Sequence, residues 1–167
     1  MVAGPISSLE EGQSSDNADK FYYSKSPYYY WLNPQDDELW NTGTGDAPVK
    51  TDYDPCPTGW RVPTYEELRT LIQNHSVWPN IYNEDIGQSG TWYSGETTYS
   101  EDVPQVFFPN AGAREGDGIV YGRGYGGYYW SSTPHLSRAD YVLSVCDSPN
   151  MHNDYRGVGH SVRCVQE

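Results

Sequence analysis

Aliphatic residues are scarce in this chain: Val, Leu, Ile and Phe together supply 27 of its 167 residues, below the share at which an apolar core is normally assured. With a formal net charge of −13, that shortage by itself would point to disorder. Bases are scarce too, 10 against 23 acids, which excludes the basic stripe that a nucleic-acid partner requires. No stretch approaches the roughly 20 apolar residues of a membrane span, so direct membrane insertion is not expected. Cysteine is limited to Cys56, Cys146 and Cys164. With no C-x-x-C pair and no histidine at zinc-finger spacing, neither a metal nor any other cofactor is expected. Any two of the three cysteines can pair, and spacing does not choose between them.

What the chain has in place of aliphatics is aromatics: 16 Tyr, 6 Trp and 3 Phe. Each buries a large apolar body, and the polar edges of Tyr and Trp can find hydrogen bonds. An aromatic-cored, loop-rich globule is the expectation, in one domain or one domain with an arm. The charge is divided unevenly. Residues 1–60 hold 10 acids and 3 bases, residues 61–120 hold 9 and 3, and residues 121–167 hold 4 and 4. An acidic body therefore carries a charge-balanced tail. Met1-Val2-Ala3-Gly4-Pro5 lacks the basic and apolar regions of a secretory signal, as does any chain that starts beyond a signal or lipid-anchor site.

Residues 1–20 are polar and aperiodic and read as a flexible N-terminal arm. Aromatic runs at Phe21-Tyr22-Tyr23 and Tyr28-Tyr29-Tyr30-Trp31-Leu32 suit short strands broken by Pro27 and Pro34, so the folded domain is expected over residues 21–167. Thr64 followed by Glu67 forms a capping box, and Leu68, Leu71 and Ile72 fall on one helical face. A helix over residues 65–74 is predicted. Residues 79–127 read as long loops with strand-like islands at Thr91-Trp92-Tyr93 and Val106-Phe107-Phe108. Strands are predicted at residues 128–132, 139–146 and 161–165, with loops at 134–138 and 147–159.

Four blocks, Asp54-Pro55-Cys56-Pro57-Thr58-Gly59-Trp60-Arg61-Val62-Pro63-Thr64, Phe107-Phe108-Pro109-Asn110-Ala111-Gly112, Gly127-Tyr128-Tyr129-Trp130-Ser131-Ser132-Thr133 and His160-Ser161-Val162-Arg163-Cys164-Val165, resemble the Fibrobacter succinogenes major paralogous domain. That family is common in secreted or lipid-anchored surface proteins of gut Bacteroidetes and is related to the C-type lectin-like fold. The resemblance implies an α+β chain with a C-type lectin-like fold: small antiparallel sheets, one or two helices and long loops. It also implies a Cys56–Cys164 disulfide with Cys146 left free, and hence an extracellular, cell-surface or phage-borne location. Trp60 and Trp130 are expected in the core, and Arg61 and Arg163 are expected to pair with scaffold acids.

Some C-type lectin-like domains are variable proteins of diversity-generating retroelements, in which a reverse transcriptase rewrites the 3′ end of the gene. The tail here interleaves family-like positions with a miscellany that suits such a region over residues 121–165. The candidate ligand-binding residues are Tyr121, Arg123, Tyr125, His135, Ser137, Arg138, Asp140, Ser144, Cys146, Asp147, Asn150, His152, Asn153, Asp154, Tyr155 and His160. Rigid aromatic area with adaptable polar side chains is the palette of an antibody-like paratope. The expected function is non-enzymatic surface binding and adhesion toward an unidentified protein or glycan.

The competing chemistries are weaker. Gly122-Arg123-Gly124-Tyr125-Gly126-Gly127 lacks the strand-then-helix setting of a phosphate loop, and no G-x-S-x-G elbow accompanies the four histidines, which read as surface or contact residues. The Glu-Pro-Asn and Trp-Asn-Asp patterns of calcium-dependent lectins are missing. Asp36-Asp37-Glu38 and Glu115-Gly116-Asp117 lack calcium-loop spacing and read as solvated acidic loops. A glycan-binding lectin domain and a fixed structural module of a surface lipoprotein or pilus-like assembly are the alternative functions.

Overall fold

A computed structural model describes residues 2–3, 5–17, 20–23, 29–74, 76–83, 87–95, 102, 104–136, 138–145 and 148–167. Within these it describes the side chains of all but residues 2–3, 23, 76, 78–80 and 138–145. The class is α+β, with small sheets that are almost entirely antiparallel. Helix α1 (Leu9–Gln13) lies between β1 (Val2–Ala3) and β2 (Tyr22–Tyr23), which pair in parallel. A long irregular stretch leads to β3 (Trp60–Arg61) and α2 (Tyr65–Asn74). Then β4 (Ser76–Asn83), β5 (Gln88–Ser94) and β6 (Gln105–Pro109) form an antiparallel meander. A small ribbon of β7 (Ala113–Arg114) and β8 (Val120–Tyr121) precedes a second meander of β9 (Gly126–His135), β10 (Arg138–Val145) and β11 (Asn150–Tyr155). The last strand, β12 (Val165–Gln166), returns to pair antiparallel with β3.

Helix α2 begins where the sequence signals it. The Thr64 hydroxyl accepts from the Glu67 amide at 3.4 Å, and the Glu67 carboxylate accepts from the Thr64 amide at 2.8 Å, so two otherwise orphan donors are satisfied. Its apolar face places Leu68 in a buried cluster with Tyr93, Phe108 and Tyr129, with Leu71 and Ile72 packed alongside. Edge-to-face pairs at 5.2 Å (Tyr93 with Phe108) and 4.8 Å (Phe108 with Tyr129) make this core aromatic, offsetting the shortage of aliphatics. Burial pushes the Tyr129 phenol far up from its ordinary value, outweighing the attraction of the Arg163 charge, and its hydroxyl donates to the Pro109 carbonyl at 2.6 Å. Two glycines are dictated by the packing. Gly112 has φ +76° and a Cβ there would meet the Tyr121 carbonyl at 2.3 Å, while at Gly90 it would strike the Phe107 ring at 2.5 Å.

Cys56 and Cys164 form a disulfide across 108 residues, close in sequence to the pairing of β3 with the C-terminal strand β12. Asp54 organises this corner. Its carboxylate, 1% exposed, pairs with Lys50 at 2.7 Å and accepts from the amides of Cys56 at 2.8 Å and Val62 at 2.9 Å.

Several local expectations change. Residues 5–17 carry structure rather than a bare arm: Ile6 is buried with Tyr22 and Leu32, and its amide donates to the Trp31 carbonyl at 2.7 Å. Trp60 is 44% exposed and not a core residue, whereas Trp130 is buried. Arg61 does pair with an acid, Glu67, at 2.6 Å; Arg163 has no acid partner among the described residues and lies over the Phe108 ring at 5.8 Å. Strands β4 and β11 occupy stretches expected to be loops, and the final strand is shorter than expected.

Candidate functional site

Among the described residues, most of the candidate tail residues fall along one sheet and the turn that feeds it. The turn between β8 and β9 is tied down by the Gly124 amide, which donates to the Asn110 carbonyl at 2.7 Å, and by the Tyr125 amide, which donates to the Gly122 carbonyl at 2.9 Å. It presents Arg123 and Tyr125, the latter 78% exposed, beside the exposed Tyr121. Within the sheet, β10 is central and β11 is an edge. The register sets Tyr129, Val142 and Met151 in one row; Tyr129 is in the core and Met151 packs against it, so this row marks the inward face. Asn150, His152 and Asp154 alternate onto the other face. Asn150, His152 and Asn153 are exposed.

These residues do not converge on one point. Tyr125 precedes the start of β9 and His135 ends it; ten residues at about 3.3 Å each separate the two ends by roughly 30 Å. Tyr155 belongs to the His135 end, paired in register with Arg138, and its ring stacks on Tyr29 at 4.3 Å. Arg138, Asp140 and Ser144 have places on β10, with side chains outside the described set, and Ser137, Cys146, Asp147 and His75 lie outside the described residues altogether.

His160 departs most from expectation. Its side chain is only 1% exposed, with Nε2 3.2 Å from the Asp154 carboxylate. The ring packs against Tyr128 at 5.4 Å and Trp130 at 4.4 Å. Tyr121 joins the same run 5.7 Å from Tyr128. A lone histidine in a polar stretch carries no sequence signal of burial, so its role as a wall element was not readable.

That aromatic run leads to a cavity of about 350 Å³, within the usual range for small-ligand sites. One wall is β9, from Trp130 to Pro134, backed by Val158, His160 and Val162. The other comes from the acidic first third of the chain: Trp31, Asp36, Asp37, Leu39, Trp40 and Pro55. Arg156 joins the two sides. It pairs with Asp37 at 2.5 Å and donates to the carbonyls of Asp36 and Leu136, each at 3.3 Å. The Thr133 hydroxyl accepts from the Tyr65 amide at 2.9 Å, tying this wall to the start of α2. The acids expected as a solvated loop thus rim a tryptophan-lined hollow, and nothing in the linear spacing of 31–40 and 130–134 announced it.

Among the described residues no cluster of three or more His, Cys, Asp or Glu is placed to hold a metal ion, and no helix is long and apolar enough to cross a membrane. Compared with protein-family models, curated proteins and solved structures, the chain matches none of them.

Proposed function

We propose that this protein is an extracellular, non-enzymatic binding module with a C-type lectin-like fold, related to the Fibrobacter succinogenes major paralogous domain, that recognises a protein or glycan through the face built by residues 121–160. The observation that carries this reading is the spread of exposed Tyr, Arg, His and Asn side chains along roughly 30 Å of one sheet and its leading turn. Such a length suits an extended partner surface, with Tyr125 and Arg123 as anchors and Asn150 and His152 as an adaptable polar rim. Diversification of this face by a retroelement is part of the proposal. It requires a reverse-transcriptase gene nearby and a near-copy of the segment encoding residues 121–165 that differs mainly at adenines.

The test uses binding of the full chain to a glycan array and to fixed cells. Tyr125→Ala with Arg123→Ala, and separately His152→Ala, are expected to lower binding at least tenfold. Tyr82→Ala, at an exposed position on β4, is expected to leave it unchanged. The reverse pattern would sink the assignment.

A further inference from the structure

We infer that the cavity between residues 31–40 and β9 takes a quaternary ammonium group. This goes beyond the reading of the exposed face, since the hollow is walled in part by residues before position 60. Three tryptophans, Trp31, Trp40 and Trp130, line it. Indole is the strongest of the side-chain π surfaces for an organic cation, and the attraction grows as the site is desolvated.

The charge has the matching sign. Asp36 and Asp37 stand at the cavity against the single cation Arg156, in a chain of net charge −13. The potential at the mouth repels anions and attracts cations.

Hydrogen bonding separates this ligand class from a sugar. A buried sugar needs a partner for each hydroxyl it hides, because every one left unpaired keeps its full desolvation penalty. Here much of the polar lining is already engaged by the protein itself, with the buried Ser132 hydroxyl left without a partner among the described residues. Arg156 is spent on Asp37 and two carbonyls, and one Asp36 oxygen accepts from the Glu38 amide at 2.9 Å. The Thr133 hydroxyl accepts from Tyr65, the Ser131 hydroxyl accepts from the Thr133 amide at 3.3 Å, and His160 faces Asp154. A trimethylammonium group asks for no hydrogen bonds. It needs apolar contact, aromatic surface and nearby negative charge, and the lining supplies all three.

Titration of the full chain with choline, followed by calorimetry and tryptophan fluorescence, tests this. Choline is expected to saturate the site and to bind roughly tenfold tighter than the neutral alcohol in which carbon replaces its nitrogen. Trp40→Ala is expected to abolish binding. Trp40→Phe, which keeps a π face, retains weaker binding, and Asp36→Asn lowers affinity several-fold. Should Trp40→Ala not fold, the other two variants decide. Phosphocholine distinguishes the sources: affinity equal to that of choline identifies a headgroup, and tenfold weaker binding identifies a free organic cation whose added phosphate meets Asp36. A carbon isostere that binds as well as choline, a neutral hexose that saturates the site when choline does not, or choline binding unchanged in folded Trp40→Ala would each overturn the inference. None of these results touches the Tyr125 and Arg123 test, so the two readings fail separately.

Discussion

Residues 31–56 and residues 126–165 differ in nearly every respect visible in sequence. The first segment is acidic and irregular; the second is charge-balanced and built mainly of strands. Composition alone assigns scaffold to the first and recognition to the second. The structure joins them in one cavity, with Trp31, Trp40 and the Asp36–Asp37 pair on one side and Trp130, Thr133 and His160 on the other. Charge excess marked a segment as solvated surface without saying what that surface encloses.

The strongest way to break this pairing is to cut its covalent link. Cys56 lies in the first segment and Cys164 in the second, 108 residues apart. Closing so long a loop restricts the unfolded chain, and the chain-entropy account puts the stabilisation at about 4–5 kcal/mol. Replacing both cysteines by serine is expected to lower the denaturant midpoint by a matching amount. A loss below about 1 kcal/mol would show that the two segments hold together without it.

Asp54 comes next, because it anchors the end of the first segment and ties it to Val62. Its carboxylate is nearly inaccessible and takes Lys50 and two amides. Asp54→Ala leaves both amides without their acceptor and the Lys50 ammonium with only the backbone carbonyls of Cys56 and of residue 54, and removing one member of a buried pair costs about 3–5 kcal/mol. Chemical denaturation of Asp54→Ala beside Lys50→Met checks this, since the partial exposure of Lys50 makes its replacement the milder change.

How far such contacts were readable depends on whether their signal was local. Helix α2 was, because Thr64, Glu67, Leu68, Leu71 and Ile72 sit within one short window and each obeys helical geometry. The cores of β5, β6 and β9 were, because Tyr93, Phe108 and Tyr129 stand in aromatic runs. Strand β11 was not, since Asn150-Met151-His152-Asn153-Asp154-Tyr155 offers a single aliphatic-like residue, Met151, to the core and so shows no apolar alternation. The exposed half of the candidate site was legible as a paratope-like composition. Its buried half was hidden, because Trp31 and Trp40 meet Trp130 only after about 90 residues of intervening chain have folded.

Arg156 offers a smaller and more selective test. Its side chain is 12% exposed while that of Asp37 is 60% exposed, so the ion pair is largely screened and contributes about 1 kcal/mol or less to stability. Its importance is positional, since it holds the 36–37 loop beside Leu136. Arg156→Ala is expected to shift the denaturation midpoint little but to move tryptophan emission to the red as the cavity mouth opens. Arg156→Lys keeps the charge and loses the fork, and is expected to recover only part of the wild-type spectrum.

The smallest expected effect concerns the helix against which the second segment rests. The amide of Tyr65, at the start of α2, donates to Thr133 on the cavity wall, so the capping box beside it bears on the site as well as on the helix. Burial pushes the Glu67 carboxyl up, but hydrogen bonds from Arg61 and Thr64 outweigh it and hold the group below its ordinary value of 4.5. A carboxyl lowered in the native state stabilises fully above its unfolded value and loses that contribution as pH falls through the native one. With 38% of the side chain exposed, solvent screening keeps the gain below about 1 kcal/mol. Glu67→Gln preserves the cap but not the charge, so it is expected to cost that small amount at neutral pH. Its stability curve should converge with the wild-type curve as pH drops below 4.5. Parallel curves down to the acid limb would mean that the Arg61–Glu67 pair does nothing for the start of α2.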